Sequence, residues 1–142
     1  MEYVDQVRLP RPFAINVPAH EPLPIYCTAS GRAILSALAA EEREEIFAAL
    51  ARRPLQALTA GTVTDVEELR FLVLEAGRRG FAIERGESST GGGCVAVPIA
   101  TPDGHVLGAL SVLGVDLARL ATKEEQIAEA LLRAKKELED GT

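Results

Sequence analysis

No apolar run in this chain approaches the ~20 residues needed to cross a bilayer. The opening residues Met1 to Asp5 carry neither a basic region nor an apolar h-region. The expectation is a cytoplasmic protein with no signal peptide and no membrane partner. There are two cysteines, Cys27 and Cys94, far apart in sequence, which makes a reduced compartment the default and excludes a disulfide framework. The two histidines, His20 and His105, fall in loop-like stretches without zinc-ligand spacing, so no metal is expected. There is no P-loop, no dinucleotide fingerprint and no nucleophile elbow, and Ser88 to Gly91 lacks the strand and helix a catalytic serine needs. The acidic runs Glu41 to Glu45 and Glu124-Glu125 read as helix starts rather than paired catalytic acids. No cofactor and no enzymatic activity are expected. Positive charge is also lacking: 15 basic residues against 21 acidic ones leave a net charge of −6. The densest basic cluster, Arg133 to Lys136, alternates with acids on a helix, so the chain by itself should bind DNA poorly.

What is present reads as one domain, residues 1–142, large enough to bury a core without disulfides. Tyr3 to Leu9 and Phe13 to Val17 alternate like strands, and His20 to Pro24 is a loop. Ser30 to Leu38 and Glu41 to Arg52 read as helices, the second stopped by Pro54. Asp65 followed by Glu68 caps a third helix, with Val66, Leu69, Leu72, Val73 and Ala76 as its apolar stripe and Gly80 as its stop. Phe81 to Glu84 is a short strand, and Arg85 to Gly93 a flexible loop. Cys94 to Ile99 and Val106 to Leu113 are strands joined by the turn Thr101-Pro-Asp-Gly104. Thr122 and Glu125 form a capping box opening a last helix, with Ile127, Leu131 and Leu138 inward and Glu129 facing Arg133. Hairpins with helices packed on the sheet predict an α+β fold with a mainly antiparallel sheet.

The most informative stretch runs from Pro22 to Leu35. An extended segment meets the small residues Thr28, Ala29, Ser30 and Gly31, then an apolar helix begins at Ile34 and Leu35. Amides at such a helix start lack partners and face the positive end of the dipole, which suits a small carboxylate. Taken alone, these residues read more readily as an ordinary capped helix. Four further motifs stand in order: Thr62-Val-Thr-Asp65 with Glu68-Leu-Arg70, then Arg79-Gly-Phe-Ala-Ile83, then Cys94-Val-Ala-Val-Pro98 with Asp103-Gly104, then Gly108-Ala-Leu-Ser-Val112. With Leu23 to Leu35, their order and spacing resemble the effector-binding domain of IclR-family transcriptional regulators from about Tyr3 to Leu138. The resemblance implies a GAF-like fold: a mainly antiparallel sheet flanked by helices. In that family a winged helix-turn-helix precedes the domain, and none lies ahead of the motifs here. The expectation is therefore an excised or naturally truncated sensor domain.

The hairpin after the triple glycine offers a candidate pocket. With an even loop, one face carries the small residues Cys94, Ala96, Ala109 and Ser111, and the other Val95, Val97, Ile99, Leu110 and Val112. A three-residue bulged loop would instead place Cys94 opposite Val112. The resemblance favours the first register. It also implies that the amides of Ala29 and Ser30 hold a carboxylate and that Cys94 and Ser111 face the effector. Glu84 stands where the family often has Asp. Leu113 replaces a serine found in some members, which makes the ligand less polar or differently oriented. Gly92 replaces a larger apolar residue, which makes the covering loop roomier or more mobile. Each has a plainer reading: Cys94 as a small buried hydrophobe, Ser111 bonded to backbone, Glu84 as a solvated strand-end acid, Gly91 to Gly93 as a flexible connection rather than an anion nest.

The function expected from the resemblance is a ligand-sensing domain. It takes a small organic acid and controls DNA binding, through an attached domain, by way of a homodimer or tetramer. The alternative is a thiol redox enzyme or redox sensor using Cys27 and Cys94. A third reading is an oligomerisation module with an unused pocket.

Overall fold

A computed structural model of the chain describes residues 1–2, 4–5 and 22–141. The strand expectations over 3–9 and 13–17 lie for the most part outside these residues. The described elements run α1 (Ala29–Ala37), α2 (Ala40–Leu50), α3 (Val66–Arg79), β1 (Ala82–Arg85), β2 (Gly93–Ala100), β3 (Val106–Gly114), α4 (Leu117–Ala121) and α5 (Glu124–Asp140). The strands form one antiparallel sheet in the order β1-β2-β3. The fold is α+β, as expected.

Side-chain alternation along β2 divides the sheet into two chemically different faces. Val95 and Val97 pack with Ala128 and Leu131 of α5, joined by Ile83, Ile99, Leu110 and Ile127. Cys94 and Ala96 turn the other way, onto Ala29 and Ala33 of α1 and Ala76 of α3, with Ala82 and Ala109 alongside. A third cluster ties the helices together through Leu35, Phe47, Leu69 and Val73.

The β2–β3 pairing sets Cys94 opposite Leu113 and Ala96 opposite Ser111, the register the resemblance favours. It is reached by an unexpected route. The loop from Thr101 to His105 has an odd number of residues, and a bulge between Ile99 and Ala100 restores the parity, since Ile99 pairs with Gly108 but Ala100 with Val106.

Local signals fix several boundaries. Asp65 Oδ1 accepts from the amides of Glu67 at 2.7 Å and Glu68 at 3.1 Å, and Gly80 ends α3 with φ +85°. Two expectations need correction at the C-terminal end. Thr122 does not cap α5. It adopts helical backbone (φ −75°, ψ −11°) as the C-cap of α4, and its hydroxyl donates to the Arg119 carbonyl at 2.8 Å. A residue already in helical conformation cannot take the extended geometry of an N-cap. The short helix α4 was not expected; Asp116 caps it, accepting from the Arg119 amide at 3.0 Å. Leu138 is half exposed rather than inward. There α5 has run past the apolar part of β2 and holds the sheet with polar atoms: Lys135 Nζ donates to the Pro98 carbonyl, and Glu139 accepts from the Ala100 amide. The i,i+4 ion pair recorded in α5 is Lys135–Glu139, not Glu129–Arg133.

Candidate functional site

The site begins with the start of α1. Thr28 is the N-cap: its hydroxyl donates to the Pro24 carbonyl at 2.9 Å and accepts from the Gly31 amide at 3.2 Å. The helix's own ladder begins at the Arg32 amide, which donates to the Thr28 carbonyl. Among the described residues, the amides of Ala29 and Ser30 have no acceptor, as the first turn of a helix requires unless something else supplies one. The Ser30 hydroxyl is buried with no hydrogen-bond partner, and Ser30 as a whole is 4% exposed. Gly31 is obligatory: a Cβ there would lie 2.1 Å from the Ile25 carbonyl oxygen.

The sheet brings the other expected residues into two rows under α1. Glu84, Cys94 and Leu113 are successive cross-strand neighbours, and Ala82, Ala96 and Ser111 form the next row. Glu84 and Cys94 are buried, Ser111 is half-buried, and Leu113 is exposed, so this face opens towards β3.

Glu84 is not a solvated strand-end acid. Its carboxylate accepts from the amides of Glu87 and Ser88 and from the Ser88 hydroxyl. Burial pushes its pKa up, and the nearby Glu87 charge adds to the rise.

The loop after β1 is not slack, because its base is clamped. Arg32 and Glu87, 55 positions apart, form a buried two-pronged ion pair at 2.6 and 2.5 Å. Arg32 Nε also donates to the Tyr26 carbonyl at 3.1 Å, and Glu87 Oε1 accepts from the Val63 amide at 3.0 Å. The hydroxyls of Thr59 and Thr62 donate to the carbonyls of Gly86 and Glu87. Gly92 is buried, and its amide donates to the Ser89 carbonyl at 3.2 Å, while the Gly91 carbonyl accepts from Leu117. The glycine run therefore turns that amide inward and does not form an open anion nest with it. Sequence reasoning missed Arg32 and Glu87. Arg32 stood within the quoted motif, but nothing local marked its partner.

The thiols carry no sign of redox activation. Burial pushes Cys94 up to about 12, with Glu84 adding to the rise and a Ser111 hydrogen bond opposing it. Cys27 is pushed up to about 11 by burial and then by Glu84 and Glu87, Arg32 acting the other way. Both are free cysteines, and a thiol protonated at neutral pH is a poor nucleophile. A separate cleft of about 610 Å³ opens between α2 and α3, lined by Arg52, Arg53, Glu67 and Arg70 among others; it contains none of the expected site residues. Among the described residues no cluster of three or more His, Cys, Asp or Glu is placed to hold a metal, and no helix is long and apolar enough to cross a membrane.

An antiparallel sheet with helices on both faces, and a helix start with unsatisfied polar groups over one of them, defines an α+β domain. The family model described as bacterial transcriptional regulator IclR C-terminal matches residues 1–139. The chain belongs to the IclR family of bacterial transcriptional regulators, as its C-terminal domain. It is 35% identical over 131 residues to the HTH-type transcriptional regulator Rv1719 of Mycobacterium tuberculosis, covering 92% of this chain and 48% of that protein. It is 32% identical over 117 residues to the Pca regulon regulatory protein of Pseudomonas putida, covering 82% and 39%. The crystal structure of Thermotoga maritima IclR superposes with a TM-score of 0.85 at 25% identity, over 99% of this chain and 56% of that one. The chain thus spans about half the length, or less, of these curated relatives.

Proposed function

We propose that this domain senses a small organic acid and passes its occupancy, through the conformation of a homodimer or tetramer, to a DNA-binding domain attached to it. The ligand's carboxylate is assigned to the amides of Ala29 and Ser30. Its remainder is assigned to Cys94, Ser111 and Leu113, with Gly92 in the covering loop and Glu84 holding that loop.

One observation carries the reading. The Ser30 hydroxyl is buried without a partner next to two helix-start amides that also lack acceptors among the described residues. An unsatisfied buried hydroxyl costs about 1–3 kcal/mol, and an anion at a helix start would satisfy all three donors at once. The small residues Cys94 and Ala96 of the facing sheet pack directly against Ala29 and Ala33, so the remainder of a compact ligand is assigned to the more open β3 side of that face, beside the half-buried Ser111 and the exposed Leu113.

The test is a thermal-shift screen against small carboxylic acids, from two-carbon keto acids to aromatic acids. A ligand at 100 times its Kd should stabilise the domain by ~2.7 kcal/mol. Ser30→Ala should keep or raise the stability of the free domain and weaken the response, and Ser111→Leu should abolish it. No shift across the panel, or one indifferent to both substitutions, would refute the assignment.

A further inference from the structure

The loop that joins β1 to β2 is bonded to both faces of the sheet. Its first residues belong to the α1 face: the amides of Glu87 and Ser88 donate to the Glu84 carboxylate, and the Glu87 side chain is held by Arg32. Near its end the Gly91 carbonyl accepts from the Leu117 amide of α4 at 3.1 Å. Between these anchors the loop closes on itself, the Gly86 amide donating to the Gly92 carbonyl at 2.7 Å.

Helix α4 sits where two of the three strands carry glycine. Arg85, Gly93 and Gly114 form the row beyond Glu84, Cys94 and Leu113. By strand alternation that row points to the α5 face, as Val95 does. A Cβ on Gly93 would lie 2.6 Å from Leu120 Cδ2 and 3.0 Å from Leu117 Cδ1, and one on Gly114 would lie 3.3 Å from Leu120 Cδ1. The two leucines therefore fill the space that side chains at 93 and 114 would take, and Leu120 is 5% exposed. At five residues α4 is too short to hold a helix by itself, so this seat and its Asp116 cap keep it in place. Two residues separate it from α5, whose Glu124 forms a two-pronged ion pair with Arg85 of the same row at 2.7 and 2.6 Å.

We propose that α4 is a relay across the end of the sheet: Leu117 and Leu120 position the loop over the candidate site from behind, and a shift of that loop on the α1 face reaches the start of α5 on the other. The leucines touch the backbone of β2 and β3 directly, so no flexible side chain stands between strand and helix to absorb a displacement. The proposal deepens the sensing function and rests on it for what the loop covers.

Hydrogen exchange of the free 142-residue chain, followed by mass spectrometry, tests this without a ligand. Leu117→Ala and Leu120→Ala should each speed exchange over 86–92 about tenfold, while 95–99 stays as slow as in the unaltered chain. Leu120→Met, which refills the seat, should restore the slow exchange. From the other side, Glu84→Gln removes the charge that gathers the Glu87 and Ser88 amides. It should speed exchange over 117–127 and leave 40–50 unchanged. If Leu120→Ala speeds every segment alike, the whole domain has loosened, and Leu117→Ala, which removes only a half-buried side chain, decides. Effects of the leucine variants confined to 115–123, or of Glu84→Gln confined to 84–92, would overturn the relay. Coupled exchange in a chain that ignores every carboxylate would leave the relay standing and remove only the assigned ligand.

Discussion

Arg32→Met removes a guanidinium that is 2% exposed and keeps much of its volume. It leaves the Glu87 carboxylate buried beside the Val63 amide with its main partner gone, and strips a donor from the Tyr26 carbonyl. Breaking a buried pair in this way costs about 3–5 kcal/mol, because the remaining charge has lost water and gained nothing. Against a total stability of ~5–15 kcal/mol that is a large fraction. At this chain length it corresponds to a Tm lowered by roughly 10–20 °C. Arg32→Lys keeps the charge but loses the two-pronged geometry and should fall between. The double variant Arg32→Met/Glu87→Met should be more stable than the sum of the single losses predicts, by about 2 kcal/mol or more, since it leaves no orphaned charge. Urea denaturation followed by circular dichroism measures the unaltered chain, the single variants Arg32→Met, Arg32→Lys and Glu87→Met, and the double variant. A loss below about 1 kcal/mol for Arg32→Met, or strict additivity in the double variant, would show that this pair does not hold the loop.

Two further outcomes follow from the site. The folded-state pKa values of Cys27 and Cys94, about 11 and about 12, lie above the ordinary 9.0. Between pH 9 and those values the unfolded chain binds fewer protons than the folded one. Stability that is fully present below pH 9 is therefore lost as pH rises, by roughly 1.4 kcal/mol per pH unit for each thiol. Urea midpoints taken across that range should fall less steeply in Cys94→Ala, and parallel curves would contradict the burial argument. Gly31→Ala would drive a methyl group into the Ile25 backbone. It should cost about 3 kcal/mol, at the upper end of overpacking effects, and remove any carboxylate response; a thermal melt matching the unaltered chain would show that the Ile25 segment yields.

Much of the fold was legible because its signals are local. Asp65 and Gly80 bracket α3 by capping chemistry, and the alternation of Cys94, Val95, Ala96 and Val97 assigns both faces of the sheet. What escaped was either too short or too distant. Helix α4 is five residues long, below the length at which periodicity can be read, and Thr122 imitates a cap because Glu125 stands three residues on, although its backbone is already helical. The burial of Glu84 and the pairing of Arg32 with Glu87 depend on tertiary contacts across up to 55 positions, for which charge spacing gives no clue. The β3 bulge shows the same limit: the parity of the turn was ambiguous in sequence, and strand pairing resolved it.

The contact between α1 and the sheet is built almost wholly of alanine and cysteine, whereas the α5 side interlocks valine, leucine and isoleucine. A layer of methyl groups has shallow relief, so little in the shape of that contact sets where α1 sits along the sheet, and the buried Arg32–Glu87 pair and the close approach of Gly31 to Ile25 do so instead. The two sides of the sheet are thus mechanically unequal. The α5 side is positioned by the shape of its side chains, and the α1 side by the direction of its polar bonds, Arg32 to Glu87 above all.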